Sequence, residues 1–289
     1  MSFQFTNGQV EEKLFSFGLI ADPQYVDAET AGNRFYRNSL EKLEKCVIEL
    51  NNQDLKFSVV LGDIIDRDYK SYDKILPIID KLKTPVHKII GNHDFSVEEE
   101  FKRKIRKKLN NKKGYYDFTI DNYQFIVTDG TDLYMHATKE GSKKHNLAKS
   151  KLEILKAKKA NNAYAWNGGF DDKQFNWIEK KLQKATKQNK TVVLFCHWPL
   201  LPENMTQLWD NQKVIELLEK YDCVVAWISG HHHEGGYLKK GKIHYLTLKG
   251  MVETQSVGSF GVMDVYKDKL ILNGYGNQKD LVLDVYNAD

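Results

Sequence analysis

Cysteine is scarce: Cys46, Cys196 and Cys223 are the three in 289 residues. They are too few and too scattered for a disulfide framework, and a reducing, cytoplasmic setting is the simplest expectation. Cys196 and Cys223 sit inside apolar runs, which predicts buried thiols. No apolar run approaches the roughly 20 residues that a membrane span needs, so no membrane association is expected. The opening residues, MSFQFTNGQVEEKLFSFGLI, lack a basic start followed by an apolar stretch and a small-residue cleavage site, so no secretory signal is expected either. Charge of one sign is also missing: the net charge is +4 and the pI near 8.6. So mild an excess does not by itself argue for a nucleic-acid partner. There is no internal repeat, low-complexity stretch or composition break. Residues 1–289 therefore read as one domain, long by the usual prior of roughly 100–200 residues but normal for a large layered fold.

What is present is a regular order of elements. LFSFGLIA (14–21) predicts a strand ended by Asp22-Pro23. Apolar residues at three- and four-residue steps between Asn33 and Leu50 predict a helix. A strand over Phe57–Leu61, a helix carrying Ile75, Ile78, Ile79 and Leu82, and a strand over Val86–Ile90 follow. This is the alternation of a parallel α/β sheet, in which ligands bind beyond the carboxyl ends of the strands. The basic segment from Phe101 to Leu109 reads as a solvated lysine face rather than a nucleic-acid patch. Two strands around Asp121-Asn122 predict a hairpin. Residues 136–170, lysine-rich with helical spacing up to 162, read as a cap or excursion over the site. Without Gly, Pro or Ser bias they are no linker. Asp171-Asp172 predicts a helix cap. TVVLFC (191–196) and the run ending at Ile228 predict further strands, with a helix around Gln212–Tyr221 between them. From Ile243 onward, IHYLTL, FGVMDV, KLILNGY and LVLDVY predict successive strands of a second sheet.

Five short polar stretches each follow a predicted strand: Asp22/Gln24, Asp63 with Asp66, Asn92/His93, His197, and His231/His233. Together they offer carboxylate, amide and imidazole groups, enough for two metal ions. A structural zinc would favour cysteine, and none belongs to the set. Mn²⁺, Mg²⁺, Fe or a catalytic Zn²⁺ is the better match. Taken singly, Asp22 and Asp63 also suit turn capping, Asn92 a left-handed turn, and His197 a loop histidine.

The order D-x-Q, GD-x-x-D, GNHD, H, GH-x-H resembles that of the calcineurin-like metallophosphoesterases. The resemblance implies an α/β sandwich of two mixed β-sheets flanked by helices. It implies that Asp22, Gln24, Asp63 and His233 hold one metal, and that Asp63, Asn92, His197 and His231 hold the other. His93 becomes the general acid or a charge stabiliser on the leaving oxygen, oriented by Asp94. The family usually has histidine where this chain has Gln24. That glutamine, Asn167-Gly168-Gly169-Phe170, the GGY after the last histidine and LKGMVETQSVGSFGVMDVY resemble the manganese-dependent ADP-ribose/CDP-alcohol diphosphatases. The implied partner is a small nucleotide substrate, with two divalent ions, Mn²⁺ first, as cofactors. Arg37, Arg67 and Tyr237 are candidates for substrate binding, and Phe35 and Trp198 for stacking on a base. The competing readings are a cyclic-nucleotide phosphodiesterase or general phosphomonoesterase on the same centre, a nuclease, and a non-catalytic scaffold of the same fold.

Overall fold

Along β1 (Phe15–Ile20), Phe15, Phe17 and Leu19 face one side and Ile20 the other, and both sides are buried in the computed structural model, which describes residues 12–285. A run without polar alternation is what a strand covered on both faces requires. α1 (Ser39–Asn51), β2 (Phe57–Val60), α2 (Tyr72–Ile79) and β3 (Val86–Lys88) follow, and β1, β2 and β3 pair in parallel. α1 begins later than its apolar spacing suggests, because Ala31 and Arg34 close a bridged turn first.

The basic segment forms two short helices, α3 (Glu99–Lys102) and α4 (Ile105–Lys108). Several of its cations are engaged by acids of the chain itself: Arg106 with Asp129 at 2.7 Å and Lys108 with Asp73 at 2.6 Å. The hairpin of β4 (Tyr116–Ile120) and β5 (Tyr123–Val127) reverses at Asp121, φ 49°. α5 (Lys143–Ala157) buries Ala148 and Leu152 against Leu133 and Trp209. α6 (Asp172–Lys187) is capped by Asp171, whose carboxylate accepts from the Gln174 N–H at 2.8 Å. β6 (Thr191–Phe195), α7 (Asn211–Leu218) and β7 (Val224–Ser229) come next. Cys196 is buried as expected, but Cys223 is only partly so and lies 3.4 Å from the Thr186 hydroxyl.

The C-terminal strands correct the sequence expectation. β8 (Gly236–Lys240), not foreseen, pairs with β9 (Ile243–Thr247) beside β7. β10 (Ser259–Val265), β11 (Lys269–Gly276) and β12 (Leu281–Asp284) cross back to the first sheet, where β10 runs antiparallel to β1. Period-two alternation marks a strand but not its neighbour. The free edge of β1, apolar on both faces, has to be covered, and β10 covers it. The described residues thus form two mixed six-stranded sheets, β12-β11-β10-β1-β2-β3 and β4-β5-β6-β7-β9-β8.

Phe17 and Phe57 of the first sheet stack at 4.8 Å, and Phe57 meets Phe125 of the second at 4.8 Å. Contacts of this kind add about 0.5–1.5 kcal/mol each beyond area burial. α1 and α2 cover the outer face of the first sheet, and α6 and α7 that of the second. Among the described residues no helix is long and apolar enough to cross a membrane.

Candidate metal centre

The loops leaving β1, β2, β6 and β7 meet at one end of the sandwich. Their backbone is unusual: Asp22 (φ 50°), Gln24 (43°), Asp63 (49°) and His231 (66°) all occupy the left-handed region. For non-glycine residues that costs on the order of 1–3 kcal/mol each and concentrates at functional sites. Two glycines make the crowding possible. A Cβ on Gly62 would lie 2.5 Å from His197 Nδ1, and one on Gly91 would run into the Asp63 carboxylate and lie 2.7 Å from His197 Nε2.

Two overlapping groups result. Asp63, His197 and His231 bring one ligand atom each within 4.8 Å of one another, and so do Asp22, Asp63 and His233. Asp63 belongs to both. Asn92 joins the first group, its Oδ1 3.1 Å from His197 Nε2. Gln24 joins the second, its amide 3.1 Å from Asp63 Oδ2 and 3.0 Å from His233 Nε2. Asp22, Gln24, Asp63 and His197 are fully buried. The seven residues that the resemblance names as metal ligands thus lie together at this end of the sandwich.

The donor chemistry fits divalent ions. Gln24 Oε1 is buried without a hydrogen-bond partner, and a half-turn of the amide puts it between Asp63 and His233. His197 Nδ1 lies 2.7 Å from the Leu61 carbonyl and His233 Nδ1 2.7 Å from Glu253 Oε1. Each contact leaves Nε2 with its lone pair turned inward, as metal-ligating histidines are held. Charge balance points the same way. Burial works against a charged His197 and a charged His233, yet Asp63 and Asp22 for the first, and Asp22 and Glu253 for the second, outweigh it and raise both pKa values to about 9. Burial raises the Asp63 carboxyl, but His197 and His93 pull it far below the usual carboxylate range. Burial, reinforced by His197, drives His231 the opposite way, well below the ordinary value. These buried carboxylates demand positive charge, which divalent ions at the two groups would supply.

His93 stands at the rim with its side chain 22% exposed. Its backbone N–H donates to Asp63 Oδ1 at 2.8 Å, and its Nδ1 is held by Asp66 Oδ1. Asp94 does not orient His93, contrary to the sequence expectation. Its Oδ1 accepts from the Ile64 N–H at 3.1 Å and the Tyr72 hydroxyl at 2.8 Å, its Oδ2 from the Gly91 N–H at 2.9 Å. Successive residues of a helical turn point apart, so the neighbour in sequence is not the neighbour in space. Asp94 ties the loop after β2 to the loop after β3.

The other candidates divide. Arg67 lies close to the centre, its Nε 2.9 Å from Asp66 Oδ2 and its guanidinium over the Tyr36 ring at 5.1 Å. Arg37 is engaged at 2.5 Å by both Asp27 and Glu29. Tyr237 is 40% exposed, but its hydroxyl lies 2.9 Å from His244 Nδ1, at the end of β9 away from the loops that carry the site. Trp198 is wholly buried and cannot stack on a base, whereas Phe35 is half-buried. Two residues quoted from the sequence only within longer motifs, without a role, touch the site: Glu253, which braces His233, and Asn167, whose Oδ1 lies 3.1 Å from His231 Nε2.

A sandwich of mixed sheets with carboxylate, amide and imidazole groups converging on a shared aspartate defines a metal-dependent phosphoesterase. The chain belongs to the calcineurin-like phosphoesterase family, whose model matches residues 15–235. Nearly its whole length is similar to particular members. It is 31% identical to the manganese-dependent ADP-ribose/CDP-alcohol diphosphatase of Xenopus tropicalis over 95% of both chains. To the protein of the same name from Arabidopsis thaliana it is 32% identical, over 91% of this chain and 94% of the relative. A crystal structure of a dimetal phosphatase from Danio rerio superposes with a TM-score of 0.88 at 26% identity, covering 95% of this chain and all of the other.

Proposed function

We propose that the chain hydrolyses the diphosphate bond of ADP-ribose, CDP-alcohols or similar nucleoside diphosphate derivatives. The products are a nucleoside monophosphate and a phosphorylated alcohol or sugar. The observation that carries the reading is the pair of buried ligand groups joined at Asp63, with Gln24 in the second. Likeness to the Xenopus and Arabidopsis diphosphatases along almost the full chain supports the substrate class.

Asp22, Gln24, Asp63 and His233 would hold one divalent ion, and Asp63, Asn92, His197 and His231 the other. An amide oxygen in place of imidazole makes the first set harder, which favours Mn²⁺. Such ions, when bound, activate water and offset the charge of the phosphate oxygens. In the reaction a water oxygen bonds to phosphorus and the bridging P–O bond breaks, so the departing phosphate needs a proton. His93 is placed to give it when doubly protonated: Asp66 engages Nδ1, and the other ring nitrogen, Nε2, is the one left for the substrate. Asp66 is itself steadied from its other oxygen by Arg67.

The test is a product-resolved assay with Mn²⁺, Mg²⁺ and no added metal. ADP-ribose, CDP-choline, a cyclic nucleotide and an aryl phosphate are compared at equal concentration. Release of AMP or CMP that is strongest with Mn²⁺ and lost in Asp63→Ala is the expected result. Faster turnover of the cyclic nucleotide or the monoester would overturn it.

A further inference from the structure

Asn167 is fully buried, and its amide nitrogen has both hydrogens engaged. Nδ2 donates to the carbonyl of Asn162 at 3.0 Å and to that of Met205 at 2.8 Å. The two carbonyls settle which end of the amide is which, so it is an oxygen, Oδ1, that lies 3.1 Å from His231 Nε2. An amide oxygen only accepts, and Nε2 must therefore carry the proton. A neutral imidazole has one protonated nitrogen, which leaves the lone pair of His231 on Nδ1. His197 and His233 show the opposite choice, with Nδ1 turned outward to Leu61 and Glu253.

We propose that Asn167 is a positioning residue that sets the tautomer and ring orientation of His231, making Nδ1 its metal-ligating atom. The inference rests on the reading that Asp63, Asn92, His197 and His231 hold a divalent ion. Asn167 is well supported for this role. Beside it, the Trp198 indole donates to the Trp166 carbonyl at 3.3 Å and the Trp209 indole to the Tyr164 carbonyl at 3.1 Å. The Gly169 N–H reaches the Gly130 carbonyl at 2.9 Å, and the Trp209 N–H the Gly168 carbonyl at 2.8 Å. The segment between α5 and α6 is thus sewn to the loops after β5 and β6. Through one amide oxygen it becomes part of the metal centre.

Two variants separate the acceptor from the tethers. Asn167→Asp keeps an oxygen toward His231 but loses both donated bonds, and Asn167→Leu loses everything. Mn²⁺ is titrated into the chelator-treated full-length chain and followed by electron paramagnetic resonance and calorimetry, beside thermal melts. Both variants should melt earlier than the wild type. Only Asn167→Leu should lose affinity, by about 10–100-fold at one of two Mn²⁺ equivalents, as removal of an outer-shell partner does. Unchanged affinity in Asn167→Leu, or equal losses in both variants, would overturn the proposal. A wild type that takes up no Mn²⁺ would instead defeat the metal reading beneath it. Should the leucine variant fail to fold, long-range ¹H–¹⁵N correlation of the wild-type, metal-free chain labelled at histidine decides. An Nε2–H signature for His231 supports the assignment and an Nδ1–H signature refutes it.

Discussion

Replacing Asp94 by asparagine asks whether this carboxylate holds the centre together or works through His93. Three donors converge on Oδ1, namely the Ile64 and Ile65 N–H groups at 3.1 and 3.4 Å and the Tyr72 hydroxyl at 2.8 Å, and Oδ2 takes the Gly91 N–H at 2.9 Å. Asparagine keeps the first oxygen and turns an NH₂ toward Gly91. A buried donor without a partner costs about 1–3 kcal/mol, and loss of the charge weakens the remaining bonds by roughly half. The sum is on the order of 3–6 kcal/mol. At roughly 2 °C per kcal/mol for a chain of this size, Tm should fall by about 6–12 °C. Burial and the charge of Asp63 push the Asp94 carboxyl up to about 7 in the metal-free chain. Removing the charge returns part of this loss, so the fall in Tm should lie toward the lower end of the range; melts at about pH 8.5 keep the wild type ionised. Asp66→Asn is the counterpart. It leaves the loops tied but releases His93, so kcat should drop by about 10²-fold or more with little change in Tm. A normal Tm with a hundred-fold lower kcat in Asp94→Asn would refute the assignment and return Asp94 to the side of His93.

Chelation should destabilise the chain, because an ion that binds only the native state adds about 2.7 kcal/mol per site at a hundred times its Kd. A melting point indifferent to Mn²⁺ would count against the site, and Asp63→Ala should abolish any shift. Acid should act through His87, whose pKa burial lowers from 6.5 to about 4. The unfolded chain takes up that proton first, so stability falls as pH drops from about 6.5 toward 4 and levels below. His87→Gln should flatten this part of a urea-midpoint profile, and an unaltered slope would dismiss the explanation. Gly91→Ala should cripple metal uptake, since its Cβ would strike the Asp63 carboxylate; full Mn²⁺ stoichiometry in a titration of that variant would contradict the packing described.

Much of the centre was legible because its chemistry restricts residue type at strand ends. Asp22, Gln24, Asp63, Asn92, His197, His231 and His233 all follow apolar runs, and the structure gathers them. The bracing groups were harder to read. Glu253 meets His233 from 20 residues away and Asn167 meets His231 from 64, and no local pattern announces either distance. The signals available were an isolated glutamate in MVETQS and an asparagine before two glycines. The role that the resemblance implied for Asp94 does not match its bonds, which go to Ile64, Tyr72 and Gly91. The destination of β10–β12 was illegible because pairing partners are chosen by which edge remains bare, a property of the assembled sheet.

The imidazoles that join Asp63 in the two ligand groups come from the other sheet. Asp22, Gln24, Asp63 and Asn92 lie beyond strands of the first sheet, and His197, His231 and His233 beyond strands of the second. Gln24 and His233 stand 209 positions apart. Neither half owns a complete set of ligands, so neither can capture an ion at native strength while it folds alone. The centre works as a rivet across a seam. An ion that enters it registers the docked sandwich, and a slip of one sheet against the other by a single residue would scatter the site before it exposed the core.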